Sequence, residues 1–119
     1  MIASLLVALV ALIHVGILVM EMVLWQTPRV RAIFRTTPEF AAATRVLAAN
    51  QGLYNGFLAA GLLLALVQGL PGAGEGLAHF VLACVIVAGL YGAATAGRRI
   101  VYVQAAPAAL ALVAVLAGV

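Results

Sequence analysis

Two ionisable side chains, His14 and Glu21, interrupt an otherwise apolar stretch at the start of the sequence. Their spacing of seven residues is about two helical turns, so in a helix both lie on one face, roughly 10.5 Å apart along the axis. An imidazole and a carboxyl group in this arrangement are suited to general acid–base catalysis, and Trp25 continues the same face. A structural interpretation is equally open: His14 bonds to a backbone carbonyl or a hydroxyl, and Glu21 pairs with Arg29 or Arg45.

A cluster of amide side chains opens the next apolar stretch. Asn50 and Tyr54 form one i, i+4 pair, and Gln51 and Asn55 form a second. Because burying an amide is costly unless it finds a hydrogen-bond partner, we expect these side chains to face the protein interior and to orient a ligand there. Hydrogen bonding between helices, at about 0.6 kcal/mol per bond, is the alternative. Further polar side chains are expected in the same layer: Tyr91, Thr95 and Gln104.

Four apolar stretches must position these side chains, over residues 1–25, 46–70, 77–97 and 100–119. With 67% apolar and only 8% charged residues, the sequence excludes a water-soluble globular domain. Each stretch is long enough to cross a hydrocarbon core of about 30 Å as a helix. The 119 residues leave no room for a second domain, so we expect a single all-α transmembrane domain over residues 1–119.

Proline and glycine mark the ends of these stretches. Thr37 followed by Pro38 predicts the start of a helix, and the breaker cluster at residues 71–76 predicts a tight reversal of the chain. Pro107 removes one backbone hydrogen bond from the last stretch. Two glycine pairs predict close helix packing and favour association with other copies, a homodimer among the options: Gly52 with Gly56, and Gly89 with Gly92.

The arginines indicate the orientation in the membrane. The first connection and the start of the next helix carry Arg29, Arg31, Arg35 and Arg45, the third connection carries Arg98 and Arg99, and the second has no basic residue. By the positive-inside rule, the first and third connections face the cytoplasm and both termini lie outside. We therefore expect an up-down four-helix bundle in the bacterial inner membrane, with the polar layer forming a pocket near its cytoplasmic side.

The composition argues against several other classes of protein. The arginines are not interleaved with base-stacking aromatic residues, so a nucleic-acid partner is not expected. Cys84 is the only cysteine, which excludes an intramolecular disulfide. His14 and His79 fall at different depths with no further imidazole or thiolate, so neither a metal, a haem nor another cofactor is expected.

Several segments of the chain resemble one family, the small bacterial and fungal membrane proteins of domain of unknown function 1304. The resemblance extends over nearly the whole chain and implies four transmembrane helices, but no established activity. It is carried by Thr36–Ala41 and Val46–Gly61, by His14–Glu21 with Trp25, by Gly89–Thr95 and by Gln104–Pro107.

Three functions remain open at this point. In the first, Glu21 and His14 are acid and base in a pocket that binds or acts on a small or lipophilic ligand. In the second, the chain works as a dimeric proton-coupled transporter, broadly similar to the small multidrug resistance exporters. In the third, it is a structural or accessory subunit in which the amides only hold helices together.

Overall fold

The computed structural model describes residues 1–119 and is entirely helical, without a β-strand. A non-helical turn within Gly69–Ala73 separates the fourth and fifth helices, and a π-helical turn, Val101–Ala105, leads into the sixth. The six α-helices are α1 (Ile2–Met22), α2 (Pro28–Phe34), α3 (Pro38–Ala43), α4 (Arg45–Gln68), α5 (Glu75–Thr95) and α6 (Ala106–Leu116).

Three segments are long and apolar enough to cross a membrane: Ile2–Met22, Arg45–Ala73 and Glu75–Thr95. The last apolar stretch forms a shorter apolar helix, Val101–Leu116. The four expected stretches are thus all helical, and three of them have the length of a full span by themselves.

The first helix ends earlier than the apolar composition predicts, at Met22 and not at Trp25. Thr27 provides the reason, since its hydroxyl accepts a hydrogen bond from the Val30 backbone N–H at 3.4 Å and Pro28 occupies the first turn of α2. A capping threonine followed by proline starts a new helix, so the chain must leave the previous one beforehand. Trp25 therefore lies outside α1.

The predicted helix start at Thr37 and Pro38 is confirmed. The Thr37 hydroxyl accepts a hydrogen bond from the Phe40 backbone N–H at 3.1 Å, which caps α3. This helix is short, because the chain departs from helical geometry at Thr44 (φ −101°, ψ 7°) before α4 begins at Arg45. The predicted second helix is therefore divided into α3 and α4.

The two other helix breakers also act as expected. Leu70, Pro71 and Gly72 adopt non-helical backbone angles, and the Gly72 N–H donates to Glu75 Oε1 at 3.1 Å at the start of α5. Before Pro107, the backbone widens into a π-helical turn in which the Ala106 N–H bonds to the Val101 carbonyl. A wider turn accommodates the proline ring and its missing N–H within a continuous helix.

The chain divides into two compact units, which we call the large unit (residues 1–13 and 58–119) and the polar unit (residues 14–57). The large unit has a core of small and branched aliphatic side chains, including Val7, Leu62, Leu82 and Ala108. Its helices pack closely at two glycines, because a Cβ at Gly61 would lie 2.9 Å from Val81 Cγ2 and one at Gly89 would lie 2.9 Å from the Ala105 nitrogen. The close packing predicted at Gly89 and Gly92 is confirmed, since Ile100 packs against Gly92.

Candidate polar site in residues 14–57

Both ionisable side chains of α1 are buried on one face of the helix. His14 is 1% exposed and Glu21 is 9% exposed. Together with His14 and Glu21, the other buried positions of α1 except Ala11 recur at alternating intervals of four and three residues, which is the spacing of a single packed helix face. These positions are Ala3, Val7, Val10 and Ile17. The prediction that His14 and Glu21 share a face is confirmed, although two turns of helix separate them.

Asn55 is the residue of α4 that meets Glu21. Its Nδ2 donates to Glu21 Oε2 at 3.1 Å and also to the Gln51 backbone carbonyl at 3.1 Å. Both amide protons of Asn55 therefore have acceptors, and the amide group is held in one orientation. Glu21 is held only through Oε2, so its second oxygen, Oε1, receives no hydrogen bond from the protein.

Two glycines allow α1 and α4 to approach within the polar unit. A Cβ atom at Gly52 would lie 2.7 Å from Met22 Cγ and 3.2 Å from the Leu18 carbonyl oxygen, and one at Gly56 would lie 2.5 Å from Leu18 Cδ1. The predicted close packing at these glycines is confirmed. It is this approach of the two backbones that lets the short side chain of Asn55 reach Glu21.

The connection between α1 and α4, residues 23–44, is folded, and we call it the cap segment. The Trp25 indole N–H donates to the Thr44 hydroxyl at 3.1 Å, and its ring meets Phe34 edge-on with centroids 5.0 Å apart. Val30 and Ala41 are buried, at 3% and 0% exposure. Trp25 thus fastens the two ends of the cap segment together and has no part in the Glu21–Asn55 hydrogen bond.

The structure separates the predicted site residues by burial. His14, Glu21 and Asn55 are buried, and Trp25 and Gln104 are half-buried. The buried face of α4 contains Ala48, Gly52, Asn55 and Ala59. The polar residues next to Asn55 in the sequence lie on other, exposed faces of the helix. Thr95 instead donates from its hydroxyl to the Tyr91 carbonyl of its own helix. The exposed members of the predicted set are Asn50, Gln51, Tyr54, Tyr91 and Thr95.

Sequence reasoning did not single out Leu18 or Thr44. Leu18 contacts both Gly52 and Gly56, and Thr44 accepts the hydrogen bond from Trp25. Leu18 could have been found as the α1 partner of the glycine pair, because it lies three residues before Glu21 on the same side of the helix. No sequence signal identifies Thr44, since its contact joins residues 19 positions apart through a folded connection.

The chemistry available at this site is that of a buried carboxyl group supported by one carboxamide. No group of three or more His, Cys, Asp or Glu side chains is placed to hold a metal ion. An open groove of about 530 Å³ lies on α5 along Phe80, Cys84 and Tyr91 and is not lined by Glu21 or Asn55. The Glu21–Asn55 pair therefore provides a hydrogen-bonding group between two packed helices.

No curated protein and no solved structure is found to match the chain. The family model described as Protein of unknown function (DUF1304) matches residues 8–116, which include the whole polar unit. Since this match covers nearly all of the sequence, the chain belongs to the DUF1304 family.

Proposed function

We propose that this protein is a multi-pass membrane protein whose four apolar segments cross the bacterial inner membrane up and down, with both termini outside. Three segments of full spanning length and a fourth, shorter apolar helix support four crossings. The positions of the arginines support the orientation, because all six lie in or beside two of the three connections. The α1–α4 and α5–α6 ends that carry these connections then face the cytoplasm.

Labelling of single cysteines in intact cells tests this orientation. In a Cys84→Ser background, Ala32→Cys places a thiol in the cap segment and Gly76→Cys places one at the start of α5, where nothing lies within 4 Å of the new side chain. A membrane-impermeant maleimide is expected to label position 76 in intact cells and position 32 only after lysis. The reverse pattern would contradict the orientation.

We further propose that the Glu21–Asn55 pair binds a small or lipophilic molecule through a hydroxyl or amine donor. This proposal is supported by the difference in hydrogen bonding between the two side chains. Both amide protons of Asn55 are donated, whereas only one carboxyl oxygen of Glu21 accepts a hydrogen bond. Glu21 is only 9% exposed, and an oxygen acceptor on a poorly solvated side chain binds a donor more strongly than the same group in water. His14, on the same face of α1, is the second group of the proposed site, and acid–base chemistry on the bound molecule would use these two residues.

Native mass spectrometry of the purified protein in mild detergent tests the ligand proposal. Wild-type protein is expected to retain a lipophilic molecule from the membrane, and Glu21→Gln is expected to reduce its affinity by about tenfold, which corresponds to the loss of one hydrogen bond to the carboxyl group. Glu39→Gln is the matched control, because Glu39 is exposed in the first turn of α3. Retention of nothing by the wild type, or equal retention by Glu21→Gln, would refute the proposal.

A purely structural role is the second candidate, and the engagement of both Asn55 amide protons by Glu21 and the Gln51 carbonyl favours it. In that case the pair joins α1 to α4 and nothing more. Asn55→Leu would then lower the stability of the protein while leaving the amount of co-purified lipophilic material unchanged. Under the ligand proposal, the same substitution reduces both, because it removes the group that orients Glu21.

A further inference from the structure

The cap segment is a folded surface and not a flexible loop. Threonine hydroxyls cap both of its helices, and Arg35 ends α2 with a left-handed backbone (φ 55°, ψ 45°) whose N–H bonds to the Arg31 carbonyl. The Trp25–Thr44 hydrogen bond joins the beginning of the segment to its end. Side chains on its exposed side are therefore held in a defined arrangement before any partner arrives, which lowers the entropic cost of binding.

This surface carries the entire net charge of the protein. The cap segment and the adjoining Arg45 contain four arginines and one carboxylate, Glu39, a net charge of +3 that equals the formal net charge of the whole chain. No ion pair with Glu39 neutralises these arginines. Arg31 uses its Nε–H on the Gln26 carbonyl, and Arg29, Arg35 and Arg45 are exposed.

Large apolar side chains are exposed beside these arginines. Ile33 is 57% exposed on α2, and Phe40 is 54% exposed on α3. Immediately after Arg45, Val46 and Leu47 are 74% and 71% exposed. A folded surface that combines unpaired guanidinium groups with exposed aliphatic and aromatic groups matches the boundary between lipid phosphates and acyl chains.

We propose that the cap segment binds the headgroups of anionic phospholipids, with Arg29, Arg35 and Arg45 contacting the phosphates and Ile33 and Phe40 entering the adjacent acyl layer. Guanidinium groups suit this ligand because they donate two parallel hydrogen bonds to a phosphate. The proposal depends on the location of the chain in a membrane, but it is independent of the Glu21–Asn55 site. The proposed ligand is a component of the membrane in which the protein is located.

Lipid titration monitored by native mass spectrometry tests this proposal. Detergent-purified protein is titrated separately with phosphatidylglycerol and with phosphatidylcholine, and tighter binding of phosphatidylglycerol is expected. Each basic residue near an anionic lipid surface contributes about fivefold in affinity, so Arg29→Gln/Arg35→Gln is expected to weaken phosphatidylglycerol binding by about 25-fold. Arg98→Gln/Arg99→Gln removes the same charge from another connection and is expected to weaken it less than fivefold.

Two further measurements serve as controls. The first distinguishes a loss of charge from a loss of folding, and the second distinguishes binding of a lipid from binding of free phosphate. Arg29→Lys/Arg35→Lys keeps both charges but loses the paired hydrogen bonds, so it is expected to bind phosphatidylglycerol more weakly than wild type and more tightly than Arg29→Gln/Arg35→Gln. Inorganic phosphate at millimolar concentration is expected to leave the bound lipid in place. Equal affinity for the two lipids, equal loss in the two glutamine pairs, a lysine pair as weak as the Arg29→Gln/Arg35→Gln pair, or displacement by inorganic phosphate would each overturn the proposal.

Discussion

Substituting Gly52 by alanine tests whether the tight approach of α1 and α4 holds the polar unit together. The added Cβ would lie 2.7 Å from Met22 Cγ, 3.0 Å from Glu21 Cβ and 3.2 Å from the Leu18 carbonyl oxygen, whereas ordinary contacts begin near 3.4 Å. Met22 can rotate away, but the Leu18 backbone and Glu21 Cβ move only if the helices separate by several tenths of an ångström. Overpacking of this kind costs about 1–3 kcal/mol, against a gain of about 0.5–1 kcal/mol for alanine in a helix.

Gly52→Ala is therefore expected to lower the free energy of unfolding by about 1 kcal/mol, measured by thermal or denaturant unfolding in detergent. Gly56→Ala is expected to cost less, because the only close atoms are on the flexible end of Leu18. Gly16→Ala is the matched control: nothing lies within 4 Å of its added methyl group, and stability should stay equal or rise. If Gly52→Ala and Gly16→Ala behave alike, the inferred helix approach is wrong.

Three further predictions concern hydrogen bonds of the polar unit. In a double-mutant cycle, Glu21→Leu and Asn55→Leu should show a coupling energy of about 0.6 kcal/mol and at most about 1.7 kcal/mol, and a value of zero would exclude the bond. Thr37→Ala should cost about 1 kcal/mol and speed limited proteolysis in the cap segment, while Thr37→Ser should restore the cap. Trp25→Phe should cost about 1 kcal/mol by losing its bond to the Thr44 hydroxyl, and unchanged stability would contradict that contact.

The boundaries of the helices were largely predictable, because they depend on residues close in sequence. Thr37 and Pro38 start α3 as expected, and the chain leaves helical geometry beside Pro71. The early end of α1 was missed, although Thr27 and Pro28 carry the same capping signal as Thr37 and Pro38. The apolar residues before them suggested that the helix continues to Trp25. Capping residues were more informative here than hydropathy.

The polar site was predictable only in part. Glu21 and His14 were recognisable because ionisable groups are rare in apolar helices, and both are buried. Among the amides of α4, only Asn55 is buried, while Asn50 and Gln51 are exposed. Nearly every position around a membrane helix is apolar, so hydropathy alone does not indicate which face packs against another helix. The small residues Ala48, Gly52 and Ala59 mark that face, and their spacing includes Asn55.

The sequence by itself determined that this protein is helical and apolar enough to enter a membrane, that one helix begins at Thr37 and Pro38, and to which family the chain belongs. These properties follow from composition, from local capping and from similarity along the chain. Only the tertiary structure decided that Asn55 is the partner of Glu21 and that residues 23–44 form a folded cap. Both depend on contacts between residues distant in sequence. The first arises where α1 and α4 pack at Gly52, and the second where the folded connection brings Trp25 to Thr44.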